Sequence, residues 1–181
     1  SHSVSTQSPV RSRRVFISYA QNFEDVMLWR ALRHVAHGTY VDVGAQDPVV
    51  DSVSMAFYEH GWRGVHVEPV PAYAALLRRA RPDVRVVEAA LGASAGRLTL
   101  HEFAGTGLST VDREMALSHV AAGFAMREVE VECTTLEQVL SPYADNDVHW
   151  MKIDVEGFER EALSGWGGGV NPWIVVVEST L

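Results

Sequence analysis

Two hydrophobic periods alternate along the chain. Short apolar runs fall at residues 39–43, 64–68, 84–87, His149–Asp154 and Trp173–Glu178. Each is rich in β-branched residues and bounded by glycine, proline or charged side chains, the mark of strands in a buried sheet. Between them the period lengthens toward that of helices. Residues 23–36 predict an amphipathic helix with Phe23, Val26, Met27, Arg30 and Ala31 on one face, Asn22 as N-cap and Gly38 as its stop. Further helices are expected at about 51–60, after Pro71 with Tyr73, Leu76, Leu77 and Ala80 inward, after a Thr135 cap, and from about Glu156 to Leu163.

The middle of the chain departs from this alternation. Arg97–Phe103 and Met126–Cys133 alternate strictly, and predict an antiparallel pair with Arg127, Glu128, Glu130 and Glu132 outward. Gly105–Gly123 between them reads as a loop with a helical piece, long enough for a functional cover. The fold expected is α/β: a doubly wound, largely parallel sheet, with an inserted antiparallel strand pair and an N-terminal helix.

Composition narrows the function classes. At 181 residues, 47% hydrophobic and 21% charged, the chain suits one soluble domain. A net charge of −8 argues against nucleic acid or an anionic membrane as partner. No apolar run approaches the roughly 18–20 residues that span a bilayer. Cys133 is the only cysteine, which excludes an internal disulfide and agrees with a reducing cytoplasm. Ser1-His2-Ser3 reads as a tag remnant, residues 1–14 as a loose leader, and 15–181 as a single domain.

Candidate chemistry collects at the carboxyl ends of the strands, where open α/β sheets bind ligands. Asp42, Glu68, Ala89, Asp154 and Glu178 all fall there. Gly44-Ala45 breaks the first strand into a turn, and glycine there admits close backbone approach. Asp42 and Asp47 flank the turn, which disfavours a pyrophosphate and favours a cationic ligand. Glu68 lies 24 residues beyond Gly44, close to the ~20-residue offset of an acid that holds ribose hydroxyls. With one glycine where dinucleotide folds carry G-x-G-x-x-G, a nucleoside without pyrophosphate fits best. S-adenosylmethionine has that form; a nicotinamide dehydrogenase is the weaker reading. His149 begins its strand, away from the chemistry, and His66 reads as a packed core histidine. Trp62 and Trp173 read as packing residues. No His/Asp/Glu cluster has metal-ligand spacing.

The series S-Y-A-Q-N-F-E-D (18–25), Y-V-D-V-G-A-Q-D-P (40–48), F-Y-E-H-G-W-R-G (57–64), V-E-P-V-P (67–71), G-L-S-T (107–110), M-K-I-D-V-E-G-F-E (151–159) and W-I-V-V-V-E (173–178) resembles the FkbM family of S-adenosylmethionine-dependent methyltransferases. Phe23 stands where the family's small glycine is usual, and Gln46 where asparagine is usual. The family's fold continues through a further helix and a closing strand pair, so C-terminal strands are expected to be absent from this chain. The resemblance implies a class I methyltransferase sheet and methyl transfer to a hydroxyl of a sugar, polyketide or similar metabolite. On it, Asp42, Gly44, Ala45 and Asp47 would line the methionine side of the cofactor. Glu68 and Pro69 would hold the ribose, Ala89 and Ala90 would border the adenine, and Tyr19 and Gln21 would fold over it. Asp154 is the first candidate for a general base and also borders the cofactor, followed by Glu156 and Glu178, with Lys152 placed to orient Asp154. Asp154 and Glu156 are also suited simply to begin a helix. The alternative function is a non-catalytic cofactor-binding module without a complete acceptor pocket.

Overall fold

The computed structural model describes residues 15–179; the expected leader over 1–14 lies outside them. Helix α1 (Glu24–Leu32) precedes strand β1 (Thr39–Val43), α2 (Ser54–Glu59), β2 (Arg63–Val67), α3 (Pro71–Ala80) and β3 (Arg85–Val87). There follow β4 (Ala90–Leu91), β5 (Gly96–Glu102), α4 (Arg113–Ala121), β6 (Arg127–Thr134) and α5 (Leu136–Leu140), which runs into a 3-10 turn (Ser141–Tyr143). Strand β7 (Trp150–Ile153), α6 (Glu159–Ser164) and β8 (Ile174–Val177) complete the chain. The main sheet has the order β3-β2-β1-β7-β8 with all neighbours parallel. The chain thus winds outward from β1 to one side and then returns to build the other.

Alternating side chains give the sheet two buried faces. Val41, Val43, Val65, Val67, Met151 and Ile153 pack on one face against Leu136, Val139, Leu140 and Ala162. Tyr40 and Trp150 lie on the other, with Phe57, Trp62, Leu28 and Leu32. That second face also carries a polar row, since Asp42 is in register with His66 on β2 and Lys152 on β7. The expected antiparallel pair is β5 on β6, with Arg127, Glu128, Glu130 and Glu132 outward. Sequence reading missed β4, which pairs in parallel with β6 and makes a second, three-stranded sheet.

Several local expectations are corrected. Helix α1 buries Glu24, Asp25, Leu28 and Leu32, while Phe23 and Met27 are exposed. Hydrogen bonding overrides hydropathy there: the Asp25 carboxylate accepts from the Ser18 hydroxyl and from Tyr19, Ala20 and Val26 N–H. Asn22 is not the N-cap; Phe23 holds that place in left-handed backbone (φ 60) with no side-chain cap. Gln46 is also left-handed (φ 54), so both departures from the family pattern sit where glycine or asparagine costs least. Helix α1 ends well before Gly38, whose role is steric: a Cβ there would lie 2.5 Å from the Trp62 ring. Ala80 is exposed, and Arg81 beside it is the buried residue. Trp173 is half-exposed rather than packed, its ring edge against His149.

Candidate active site

Neighbouring strands β1 and β7 continue in opposite directions, so their carboxyl ends open a crevice at the switch point. The ends are in direct backbone contact: Asp154 N–H donates to Val43 C=O at 3.1 Å. Gly44 turns there at φ +73, and a Cβ on it would lie 1.7 Å from the Asp154 carbonyl oxygen. Only glycine permits that approach. Gly44, Gln46, Gly107, Asp154 and Glu156 line both compartments of the crevice.

The first compartment is apolar and runs between the two sheets. Val67, Val70, Leu91, Leu100 and Phe158 wall it, with Pro69, Ala89 and Ala90 at its side. It encloses about 550 Å³, counting space open to solvent, within the usual size of a cofactor pocket. Besides the shared Asp154 and Glu156, one acid reaches it. Glu68 is 2% exposed, and its two oxygens accept from Gln46 N–H and Val70 N–H, each at 2.8 Å. Burial pushes its pKa up to about 7, against the pull of those two donors and of Lys152. Segment 103–111 closes this compartment as a cover, as expected for part of the loop. Tyr73 OH donates to Thr106 C=O, the Gln46 amide reaches Gly107 C=O, and the Thr110 hydroxyl donates to Glu156 C=O.

The second compartment is acidic. Gln21, Glu24, Ala45, Asp51, Lys152, Asp154, Glu156 and Glu178 line it together with Leu108 and Val50. Lys152 is 4% exposed, with Nζ 3.6 Å from Asp42 Oδ1 and 3.9 Å from Asp154 Oδ2. Burial opposes its charge, but Asp42, Asp154, Glu178 and Glu24 outweigh burial and hold its pKa above the ordinary range. Burial raises Asp154 despite Lys152, with Asp42 and Glu159 adding to the rise. Burial likewise lifts Glu178 to about 7, opposed by Lys152 and reinforced by Asp154 and Glu24. Glu24, Asp154 and Glu178 thus influence one another's ionisation around the Lys152 ammonium. Helix α6 begins at Glu159, later than expected. Its first residue, Glu159, reaches back to the preceding turn and accepts from Val155 and Gly157 N–H. Asp154 and Glu156 are therefore not inside that helix. Glu156 sits in left-handed backbone (φ 47) facing the crevice.

Three expected contacts fall elsewhere. Asp42 is fully buried behind the crevice and is not part of its lining. It accepts from the Ser54 hydroxyl at 2.6 Å, and Lys152 holds its pKa below the ordinary range against burial. Tyr19 donates its hydroxyl to Glu59 at the surface. Asp47 accepts from Val49 and Val50 N–H and shapes the turn. Behind this wall the unforeseen Arg81, 1% exposed, donates to Ser54, Ser52, Pro48 C=O, Tyr40 and His66. It fastens the turn over 47–54 to the sheet. His66 is the core histidine expected; burial takes its pKa down to about 3, so it is neutral. His149 accepts from Thr39 N–H at the opposite end of the sheet. Sequence reasoning also passed over Glu24, whose signal was its place in S-Y-A-Q-N-F-E-D. Among the described residues no group of three or more His, Cys, Asp or Glu is placed to hold a metal ion. No helix there is long and apolar enough to cross a membrane.

The family model for the methyltransferase FkbM domain matches residues 42–181. The chain belongs to this family. Comparison with curated proteins and comparison with solved structures each returned no match. The FkbM methyltransferase match begins at Asp42, so it takes in both strand ends of the switch point and the whole second sheet. Helix α1 lies before it, yet Gln21 and Glu24 line the acidic compartment. Membership implies transfer of a methyl group and a bound methyl donor.

Proposed function

We infer that the protein is an S-adenosylmethionine-dependent O-methyltransferase acting on a hydroxyl of a sugar, polyketide or similar small metabolite. The observation that carries this reading is Glu68. It is a buried carboxyl with two of about four acceptor sites used, facing an apolar space of nucleoside size. Ribose hydroxyls supply the donors it lacks, and charge-assisted bonds of this kind are among the strong ones. An adenine ring suits the walls formed by Leu91, Leu100, Phe158, Ala89 and Ala90. Gly44, Ala45, Gln21 and Asp154 border the next stretch, where a sulfonium and an amino group suit the surrounding carboxylates. The cofactor, when bound, supplies an electrophilic methyl group whose departing electron pair is taken by sulfur.

The chain's own work is binding, orientation and proton handling. Asp154 at the join of the two compartments is the general base for the acceptor hydroxyl, and its raised pKa brings it nearer the working pH. Glu178 and Glu156 are the adjoining acids. Segment 103–111 excludes water over the reacting centre, and much of the rate comes from holding the acceptor in line.

Calorimetric titration with S-adenosylhomocysteine tests the reading. One-to-one binding is expected, weakened about 30-fold or more in Glu68→Gln for the loss of about 2 kcal/mol of charge-assisted bonding. A folded wild-type chain that does not bind would overturn it. Transfer of a labelled methyl group to a panel of hydroxyl compounds, with amines as the contrast, tests the O-methyl part.

A further inference from the structure

The polar row across β2, β1 and β7 is the part of the molecule that catalysis by direct contact leaves unused. Asp42 is fully buried, lies behind the crevice wall, and keeps Oδ1 without a hydrogen bond, 3.6 Å from Lys152 Nζ. Its other oxygen is fixed by Ser54, which Arg81 holds in turn. Lys152 extends from this buried anchor to the crevice and stops 3.9 Å from Asp154 Oδ2. A cation between a sealed carboxylate and one at the reacting centre acts on both, and the sealed anion partly cancels its potential at the second.

We propose that Asp42 and Lys152 are positioning residues that set the charge of Asp154: Lys152 favours its carboxylate, and Asp42 limits how strongly. This rests on Asp154 being the base of the proposed methyl transfer. The groups that act on Asp154 are Lys152 on β7, Asp42 on β1, Glu178 after β8 and Glu159 on α6. Glu24 on α1 acts through Glu178, and Glu156 lines the same compartment. Of these only Lys152 is a cation, and it is the strongest influence favouring the Asp154 carboxylate. The acceptor's proton has Asp154 as its destination: as oxygen bonds the methyl carbon, the carbon–sulfur bond breaks onto sulfur and Asp154 takes the proton. Deprotonated Asp154 is needed before that step, and Lys152 secures it. Asp42 supplies the opposing anion, which keeps Asp154 basic enough to accept the proton.

The test reads carboxyl titration directly, by carbon-13 NMR of Asp- and Glu-labelled protein without ligand. The steps of the Asp154–Glu178 pair are assigned with Asp154→Asn and Glu178→Gln. Lys152→Met is expected to raise the Asp154 step by about one unit or more, the usual effect of an opposite charge at such a distance. Asp42→Asn is expected to lower it. Lys152→Met leaves Asp42 buried without its cation and can fail to fold. The double variant Asp42→Asn/Lys152→Met removes both charges and keeps the volumes. Its Asp154 step is expected above wild type but below that of Lys152→Met. A double variant that titrates at the wild-type position, or an Asp42→Asn that moves upward, overturns the proposal. S-adenosylhomocysteine calorimetry on the same samples separates the two claims. Binding without the titration shifts sinks only this inference, whereas the shifts without binding sink only the methyltransferase cofactor reading.

Discussion

The ends of β1 and β2 each carry a buried carboxyl, and the two behave oppositely. Glu68 is 2% exposed and Asp42 0% exposed, so desolvation acts on both. Two backbone N–H groups do not offset it for Glu68, whose pKa rises to about 7. For Asp42, Lys152 and the Ser54 hydroxyl do offset it, and the pKa falls below its ordinary range. A nearby cation decides the sign, as expected where dipoles alone meet a buried charge. Asp42 has its charge balanced by Lys152 inside the protein, although its Oδ1 accepts no hydrogen bond, whereas Glu68 has acceptor capacity that faces the crevice. On the proposed function, the strand-end acid nearer the glycine turn is support, and the one farther off is recognition.

Gly44 joins the two regions, and its replacement is expected to have the largest effect. Gly44→Ala places a Cβ 1.7 Å from the Asp154 carbonyl at a positive φ. It is expected to cost about 4 kcal/mol or more in a urea melt, and a variant as stable as wild type would mean that β1 and β7 do not touch there. Next is the matched pair. Asp42→Asn is expected to lose about 3 kcal/mol of stability by removing the nearer of the two carboxylates that a buried cation faces. Glu68→Gln is expected to lose about 1 kcal/mol, because one accepted N–H bond is kept. Equal losses would erase the contrast between the two acids.

The pH dependence sharpens it further. Glu68 binds its proton more tightly folded than unfolded, since its pKa rises from 4.5 to about 7. The stability it contributes is complete below 4.5 and is lost as pH rises to about 7, a loss of roughly 3 kcal/mol. Unfolding free energies at pH 5 and pH 7.5 are expected to differ less in Glu68→Gln than in wild type, by about 2 kcal/mol. An identical difference in both would show that Glu68 titrates normally. Saturating S-adenosylhomocysteine is expected to flatten the wild-type dependence by favouring the carboxylate. The smallest effect lies outside the crevice. Phe23→Gly relieves a left-handed residue (φ 60) that is largely exposed, and is expected to add about 1 kcal/mol by thermal melt.

Much of this was legible in the sequence. Parallel strands read as β-branched runs because both sheet faces are covered, and those runs place Asp42, Glu68, Asp154 and Glu178 at one end of the sheet. The glycine turn was legible as a place of close backbone approach, but the group that approaches Gly44 is the Asp154 carbonyl rather than a ligand. Where local pattern misled, a distant partner had taken over. Hydropathy put Phe23 and Met27 inward, but the four hydrogen bonds to Asp25 turn the other side of α1 to the core. The start of α6 was placed early because Asp154 and Glu156 look like helix-opening acids, while the chain first makes a turn that Glu159 ties together through Val155 and Gly157 N–H.

Local sequence determines which residues can be strand, turn or acid, because backbone sterics and side-chain period act over a few residues. It thereby determined the α/β class, the strand ends and the family motifs of this protein. Tertiary structure alone decided which acids keep a charge. Register sets Asp42 beside Lys152 across β1 and β7, and burial then makes that one contact outweigh the identity of the residues. Electrostatic strength depends on distance and desolvation, and neither exists until strands far apart in the chain are side by side.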